Sequence, residues 1–106
     1  ATLDSALSNG VTALLVHSDA EAMAFVDVAL NRGIAIPGDL SVIAYDDEVA
    51  ELFTPPLTAV SPPRHDIGVA AVDLIARRIA EPDRAVQRVI LNPRLQVRGS
   101  TAPPRP

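Results

Sequence analysis

One stretch sets the terms on which this chain can fold: Asp39-Leu-Ser-Val-Ile-Ala-Tyr-Asp-Asp47. Leu40 to Tyr45 is a run of mostly large apolar and β-branched residues, long enough for a strand buried on both faces, and it stops at two adjacent carboxylates. In an open parallel sheet, ligands sit at the carboxyl ends of strands, so a strand that ends in acid is both an architectural and a functional signal. With 48% hydrophobic residues in 106 positions, the chain can build one small core but hardly two complete domains. That core must come from Ala, Val, Ile and Leu, because Phe25, Tyr45 and Phe53 are the only aromatics. Such material suits helices packed on a sheet, an α/β sandwich.

In chain order, Thr2 is placed to cap a short helix carrying Leu3, Ala6 and Leu7, which Asn9-Gly10 ends. Val11 to Val16 reads as a strand delivering His17-Ser18-Asp19, and Ser18 with Glu21 matches a capping box for the next helix. That helix runs to about Arg32 and stops at Gly33. Its apolar residues (Ala22, Met23, Phe25, Val26, Ala29, Leu30) span more of its circumference than one sheet contact requires, which leaves part of the face for another chain. Strand, helix and strand in this order form a βαβ unit, so Ser18-Asp19 and Asp46-Asp47 are expected at the same sheet edge. Pro55-Pro56 cannot donate to a ladder, so Leu57 to Val60 is expected to start as an edge strand or an extended segment. Ser61-Pro-Pro63 reads as a rigid linker. Beyond it, Asp66 is expected to cap a helix reaching Ala80, with Arg77-Arg78 well placed for its dipole. Val86 to Leu91 and Arg94 to Arg98 are strand candidates, the second with Leu95 and Val97 inward, and Gly99 to Pro106 reads as a disordered tail.

Composition removes several functional classes. The absence of cysteine excludes a disulfide framework and a thiolate metal site. The net charge is −4, there is no lysine, and the arginines are scattered, so this stretch carries no electrostatic footprint for nucleic acid. Without lysine there is neither a P-loop nor a Schiff-base enzyme. His17 and His65 lack HxH or HxxxH spacing, and no metal or other cofactor is expected. His65-Asp66 has no nucleophile set with it by sequence and reads as a helix start, so no enzymatic activity is expected. No apolar run approaches membrane-spanning length and no signal peptide is visible. Ala1 leads almost at once into a helical pattern, as expected of a fragment.

The series Asp39 to Asp47, then Thr54-Pro-Pro-Leu-Thr58, Gly68 and Asn92-Pro-Arg-Leu-Gln-Val-Arg-Gly-Ser-Thr101, resembles the C-terminal part of a lactose-repressor (LacI/GalR) family transcription regulator. The resemblance covers essentially the whole chain, with its motifs in the right order. It implies an incomplete α/β, parallel-sheet, three-layer lobe of the type I periplasmic-binding-protein kind. It also implies a cytoplasmic effector-binding and dimerisation part, responding to a sugar-like or other small metabolite. Operator DNA would be reached only through an N-terminal helix-turn-helix domain that is not in this stretch. The resemblance divides the chain into a C-terminal lobe core over 1–60, a crossover over 61–92 belonging to the N-terminal lobe, and a return strand with tail over 93–106.

Particular positions inherit roles from that resemblance. Asp46 matches the family aspartate that accepts hydrogen bonds from a ligand hydroxyl in the interlobe cleft, a task suited to a carboxylate's several lone pairs. From the residues alone it reads as a solvated loop carboxylate. Asp47 is expected to turn away. Ser18 stands where many members have the asparagine of an Asn-Asp pair, so Ser18 and Asp19 become candidate ligand contacts. By themselves those two residues favour an N-cap and a first-turn acid. Arg64 lies where a cleft-facing residue often follows the crossover, and reads equally as a surface arginine. Met23 and Phe53 fall on segments that form the family's homodimer interface, with ordinary core as the other reading. The same fold also serves extracytoplasmic sugar-binding proteins, the alternative function, which the Thr54 to Thr58 and Arg98 to Thr101 elements disfavour. Without an N-terminal lobe, the helix after Asp66 loses its sheet partner. It is then expected to pack onto the chain's own sheet or to pair with a second copy.

Overall fold

The computed structural model describes residues 2–106, with side-chain detail from residue 3, so the capping role expected of Thr2 lies outside the described residues. The elements run α1 (Thr2–Ser8), β1 (Ala13–His17), α2 (Asp19–Asn31), β2 (Ser41–Tyr45), a 3-10 turn (Ala50–Leu52), β3 (Thr58–Ser61), α3 (Arg64–Ala80) and β4 (Arg94–Gln96). The chain divides into two compact units, one of Ala1–Ser61 with Leu95–Pro106 and one of Pro62–Arg94.

In the first unit the strands lie in the order β1-β2-β3-β4, and both β1/β2 and β2/β3 are parallel. The register Ala13↔Ser41 through His17↔Tyr45 brings the two strand ends level, as the βαβ pattern requires. The core lies between α2 and one face of this sheet. Ala22, Val26 and Ala29 recur at helical spacing on α2 and are wholly buried against Val42, Ala44 and Ala59. Small residues on the helix let it approach the sheet closely, which explains how a core with so few aromatics reaches useful packing. Leu40 and Leu57 supply the largest fully buried side chains.

Glycine ends both helices of this unit. After α1, Gly10 takes φ 73° and its N–H donates to Leu7 O, while Val11 N–H donates to Ala6 O. After α2, Gly33 takes φ 78° and donates to Leu30 O, while Ile34 N–H donates to Ala29 O. Each is a Schellman closure, in which a left-handed residue lets two following amides satisfy the helix's last carbonyls. At the helix starts the expectations fail. Ser18 is the N-cap of α2, but its hydroxyl makes no capping bond; only its carbonyl serves, accepting from Ala22 N–H. α3 begins at Arg64 after Pro63, not at an Asp66 cap.

Three further expectations are corrected. β3 is not an edge strand, because β4 lies beyond it in the sheet order. Leu95 and Val97 do not point inward: they are 58% and 71% exposed, and β4 is only three residues long. The supposed disordered tail is ordered through Ala102, with Ser100 at 0% exposure. Ser100 Oγ accepts from Thr58 N–H at 2.8 Å and donates to Val42 O, while Ser100 O accepts from Val42 N–H at 2.9 Å. Thr58 Oγ1 lies 2.7 Å from Thr101 Oγ1, and Ser41 Oγ and Ala102 exchange bonds at 3.0 and 3.1 Å. These side chains let a segment rich in helix and strand breakers hold to the sheet without a long ladder of its own.

In the second unit α3 buries none of its residues, and Ile67, Val72, Ile75 and Ile79 are exposed. Val86 to Leu91, expected as a strand, has no strand structure, and Val86 and Ile90 are 82% and 87% exposed. A strand needs a partner edge, and among the described residues this stretch has none. Among the described residues no helix is long and apolar enough to cross a membrane.

On the surface of the first unit, Arg32 donates to Asp4, and that hydrogen bond, then its charge, holds the Asp4 carboxyl below the usual carboxylate range. A depressed folded pKa means any stabilisation is present above the unfolded value and is lost as pH falls through the folded one. The pair is solvent-screened, so Asp4→Asn is expected to leave the thermal midpoint at neutral pH nearly unchanged, a shift of about 2 °C or less in a calorimetric scan.

Candidate functional site

Three carboxylates meet at the carboxyl edge of the sheet, and their surroundings give them different work. Asp19, the first residue of α2, is 3% exposed. Its Oδ1 accepts from Asp47 N–H at 2.9 Å, and its Oδ2 accepts from Val49 N–H at 2.8 Å and Ala50 N–H at 3.1 Å. A carboxylate at a helix N-terminus is also favoured by the dipole. Asp19 thus ties the loop after β2 to the start of α2.

Asp47 is held by an arginine to which no role was assigned from the sequence. Arg98 Nη1 donates to Asp47 Oδ1 at 2.7 Å and Nη2 to Asp47 Oδ2 at 3.1 Å, a bidentate fork. The pair is largely sheltered, with side-chain exposures of 18% and 11%. Arg98 Nη1 also donates to Leu57 O at 2.8 Å, and Arg98 N–H donates to Thr58 Oγ1 at 2.9 Å. The hydrogen bond it donates to Asp47 raises the guanidinium's pKa above its ordinary value, against the opposing effect of burial. The motif Arg98-Gly-Ser-Thr101 was visible in the sequence, but spacing alone does not say that it returns to β2 and β3.

Asp46 is the most exposed of the three, with a side chain 31% exposed. It follows the last residue of β2, and its N–H donates to Val60 O at 3.1 Å. Its φ is 102° and that of Asp47 is 58°. Consecutive non-glycine residues at positive φ cost of order 1–3 kcal/mol each, and such conformations persist only where neighbours hold them. Here the holders are Val60, Asp19 and Arg98, from segments far apart in sequence. His17, at the end of β1, brings Nε2 to 3.6 Å from Asp46 Oδ2, and its ring lies 5.3 Å from that of Tyr45. Imidazole, phenol ring and carboxylate therefore share one edge, a set suited to the hydroxyls and flat faces of a small polar ligand.

Of the other candidates, Ser18 lies beside His17 at this same edge and its hydroxyl is not used as a cap. Ser18 and His17 also line an open groove of about 770 Å³ with Val16, Phe25 and Val28. Arg64 belongs to the second unit, where it lines a shallow depression with Val69 and Val72. Met23 and Phe53 are partly buried and pack against the core cluster. Among the described residues no group of His, Asp or Glu is arranged to hold a metal ion.

Comparisons with known proteins identify the family of the fold. Residues 2–101 match the family model of the periplasmic binding protein-like domain. The chain is 43% identical over 105 residues to an uncharacterized HTH-type transcriptional regulator in the aml 5' region of Streptomyces limosus, covering 96% of this chain and 29% of that protein. It is 37% identical over 89 residues to the ribose operon repressor of Escherichia coli K12, covering 83% of this chain and 27% of the repressor. Among solved structures, a LacI family transcriptional regulator from Enterococcus faecium with bound ribose superposes with a TM-score of 0.84 at 28% identity, over 96% of this chain and 38% of that one. The chain thus spans under a third of the length of either curated relative.

Proposed function

The chain belongs to the periplasmic binding protein-like domain family and matches the C-terminal part of LacI-type regulators, and from that premise we propose that it is the effector-binding and dimerisation part of a transcriptional repressor. The effector is a sugar or related polyol. Asp46 accepts hydrogen bonds from its hydroxyls, Ser18 contributes a second polar contact, and Asp19 acts by fixing the loop behind Asp46. Arg64 is a further candidate contact for the effector, and Met23 and Phe53 lie toward a second protomer. The protein works in the cytoplasm without a metal or cofactor, and operator DNA is bound by a helix-turn-helix domain outside this stretch. Effector binding changes the relation between the lobes and so the spacing of two DNA-binding heads, an equilibrium coupling with no chemical step.

The observation that carries this reading is the division of labour at the sheet edge. Asp19 and Asp47 are sheltered by backbone amides and Arg98, whereas Asp46 projects beside His17 and Tyr45. The transport alternative has less support, since both curated relatives described above carry transcriptional names.

The test is calorimetric titration of the full-length regulator with ribose, galactose, maltose and cellobiose, which span pentose, hexose and disaccharide. At least one is expected to bind and to loosen operator binding. Asp46→Asn is expected to weaken that sugar by about 100-fold, the loss of a charge-assisted acceptor in a partly dry site. Binding of a sugar equally well by the wild type and by Asp46→Asn would remove Asp46 from the site.

A further inference from the structure

Two of the strongest structural oddities of the first unit fall on the same pair of residues. Asp46 and Asp47 both sit at positive φ, and a sheltered bidentate ion pair closes on Asp47. A left-handed aspartate relaxes readily toward ordinary backbone unless something opposes it, and the relaxation of either residue would swing the Asp46 side chain. Asp46 N–H and Asp47 N–H are held from the β3 and α2 sides by Val60 O and Asp19 Oδ1. Arg98 grips the side chain of Asp47 with two parallel bonds, which fixes its orientation as well as its distance. Arg98 is itself fixed: its other contacts go to Leu57 O and to Thr58 Oγ1, which bonds both its N–H and its carbonyl.

We infer that Arg98 is a positioning residue of the effector site, acting through Asp47 to hold Asp46 in its ligand-facing backbone conformation. The inference rests on Asp46 being the effector contact. Arg98 lies shortly after Leu95, where the chain re-enters the first unit. A displacement of Arg98 therefore bears on Asp47, next to Asp46, through that ion pair. Electrostatics alone does not account for the arrangement, since a lysine would supply the charge but not the planar fork.

The experiment uses the full-length regulator with Arg98→Lys, Arg98→Met and Asp47→Asn, measured by amide hydrogen exchange without ligand and by titration with the sugars above. Arg98→Lys is expected to raise exchange at Asp47, Val49 and Ala50 by about tenfold while leaving α2 and β1 amides at wild-type rates. It is also expected to weaken sugar binding by about tenfold, with Arg98→Met and Asp47→Asn weaker still. Unchanged exchange, or a uniform rise across the lobe, overturns the positioning role whatever the ligand result. A local rise with wild-type sugar affinity overturns it too, because the bend would then be irrelevant to binding. If Asp46→Asn binds sugar normally, the effector reading itself falls, and with it this inference; the exchange data then report separately whether Arg98 holds the bend.

Discussion

Asp19→Ala is expected to destabilise the first unit by about 3–5 kcal/mol, a large share of the 5–15 kcal/mol typical of a whole small domain. The substitution strands the N–H groups of Asp47, Val49 and Ala50, all of which Asp19 now satisfies. An unsatisfied buried donor costs roughly 1–3 kcal/mol, and Ala50, 1% exposed, has the poorest access to replacement water. The helix dipole adds a smaller loss, of order 0.3–1 kcal/mol, because the carboxylate sits in the first turn of α2. Asp19→Asn retains one acceptor oxygen and sets an NH2 group against a backbone donor, so its cost falls between wild type and alanine. Urea unfolding with linear extrapolation measures both. A change below about 1 kcal/mol for alanine would mean that the loop finds other partners and that Asp19 is not its anchor.

The same residue shows where sequence reading stops. Asp19 is a first-turn acid by pattern, and pattern makes it a surface residue with a modest dipole effect. Its burial follows from two things no local window contains: the register that sets His17 level with Tyr45, and the backward turn of the chain after Asp46. Residues 19 and 47 meet only once the sheet exists. The core between α2 and β2, by contrast, was largely legible, because Ala22, Val26 and Ala29 on α2 and Leu40, Val42 and Ala44 around β2 carry their burial in simple periodicities, although Leu30 on the same helix is exposed. Both glycine-ended helices were readable for a similar reason, since the left-handed position is a local requirement. The failures cluster where stability comes from a distant partner. Ser18 looked like a side-chain cap and is not, because a serine before an acidic turn is ambiguous without coordinates. Val86 to Leu91 has strand composition and, among the described residues, no edge to join. At the candidate site, Asp46 was nominated through the family resemblance, while the bonds that Arg98 and Asp19 make to its loop came only from the fold.

The sharpest separation between composition and structure concerns the C-terminal residues. Gly99 to Pro106 contains three prolines and reads as a tail, so composition expects its removal to be harmless. The structure expects the opposite for its first half. Ending the chain after Val97 deletes the Arg98 fork, the Ser100 bonds to Thr58 N–H and to both backbone groups of Val42, the Thr58–Thr101 contact and the Ser41–Ala102 exchange. It leaves Asp47 at positive φ without its arginine and opens the β2/β3 side of the sheet that Ser100 seals. Water replaces some of these partners, yet at roughly 1 kcal/mol per neutral bond and 1.5–3 for those to a charge, the loss exceeds about 5 kcal/mol. That is enough to abolish cooperative unfolding of a small lobe. Ending it after Ala102 instead removes only a surface pair, Arg105 and Asp39 at 3.6 Å with exposures of 41% and 46%, worth at most about 1 kcal/mol. Thermal unfolding followed by circular dichroism distinguishes the two truncations: the shorter chain is expected to show no cooperative transition, and the longer one to melt within about 5 °C of the full chain. Equal melting of all three would return this segment to the status of a tail. It would also remove the anchor on which the grip of Arg98 on Asp47 depends.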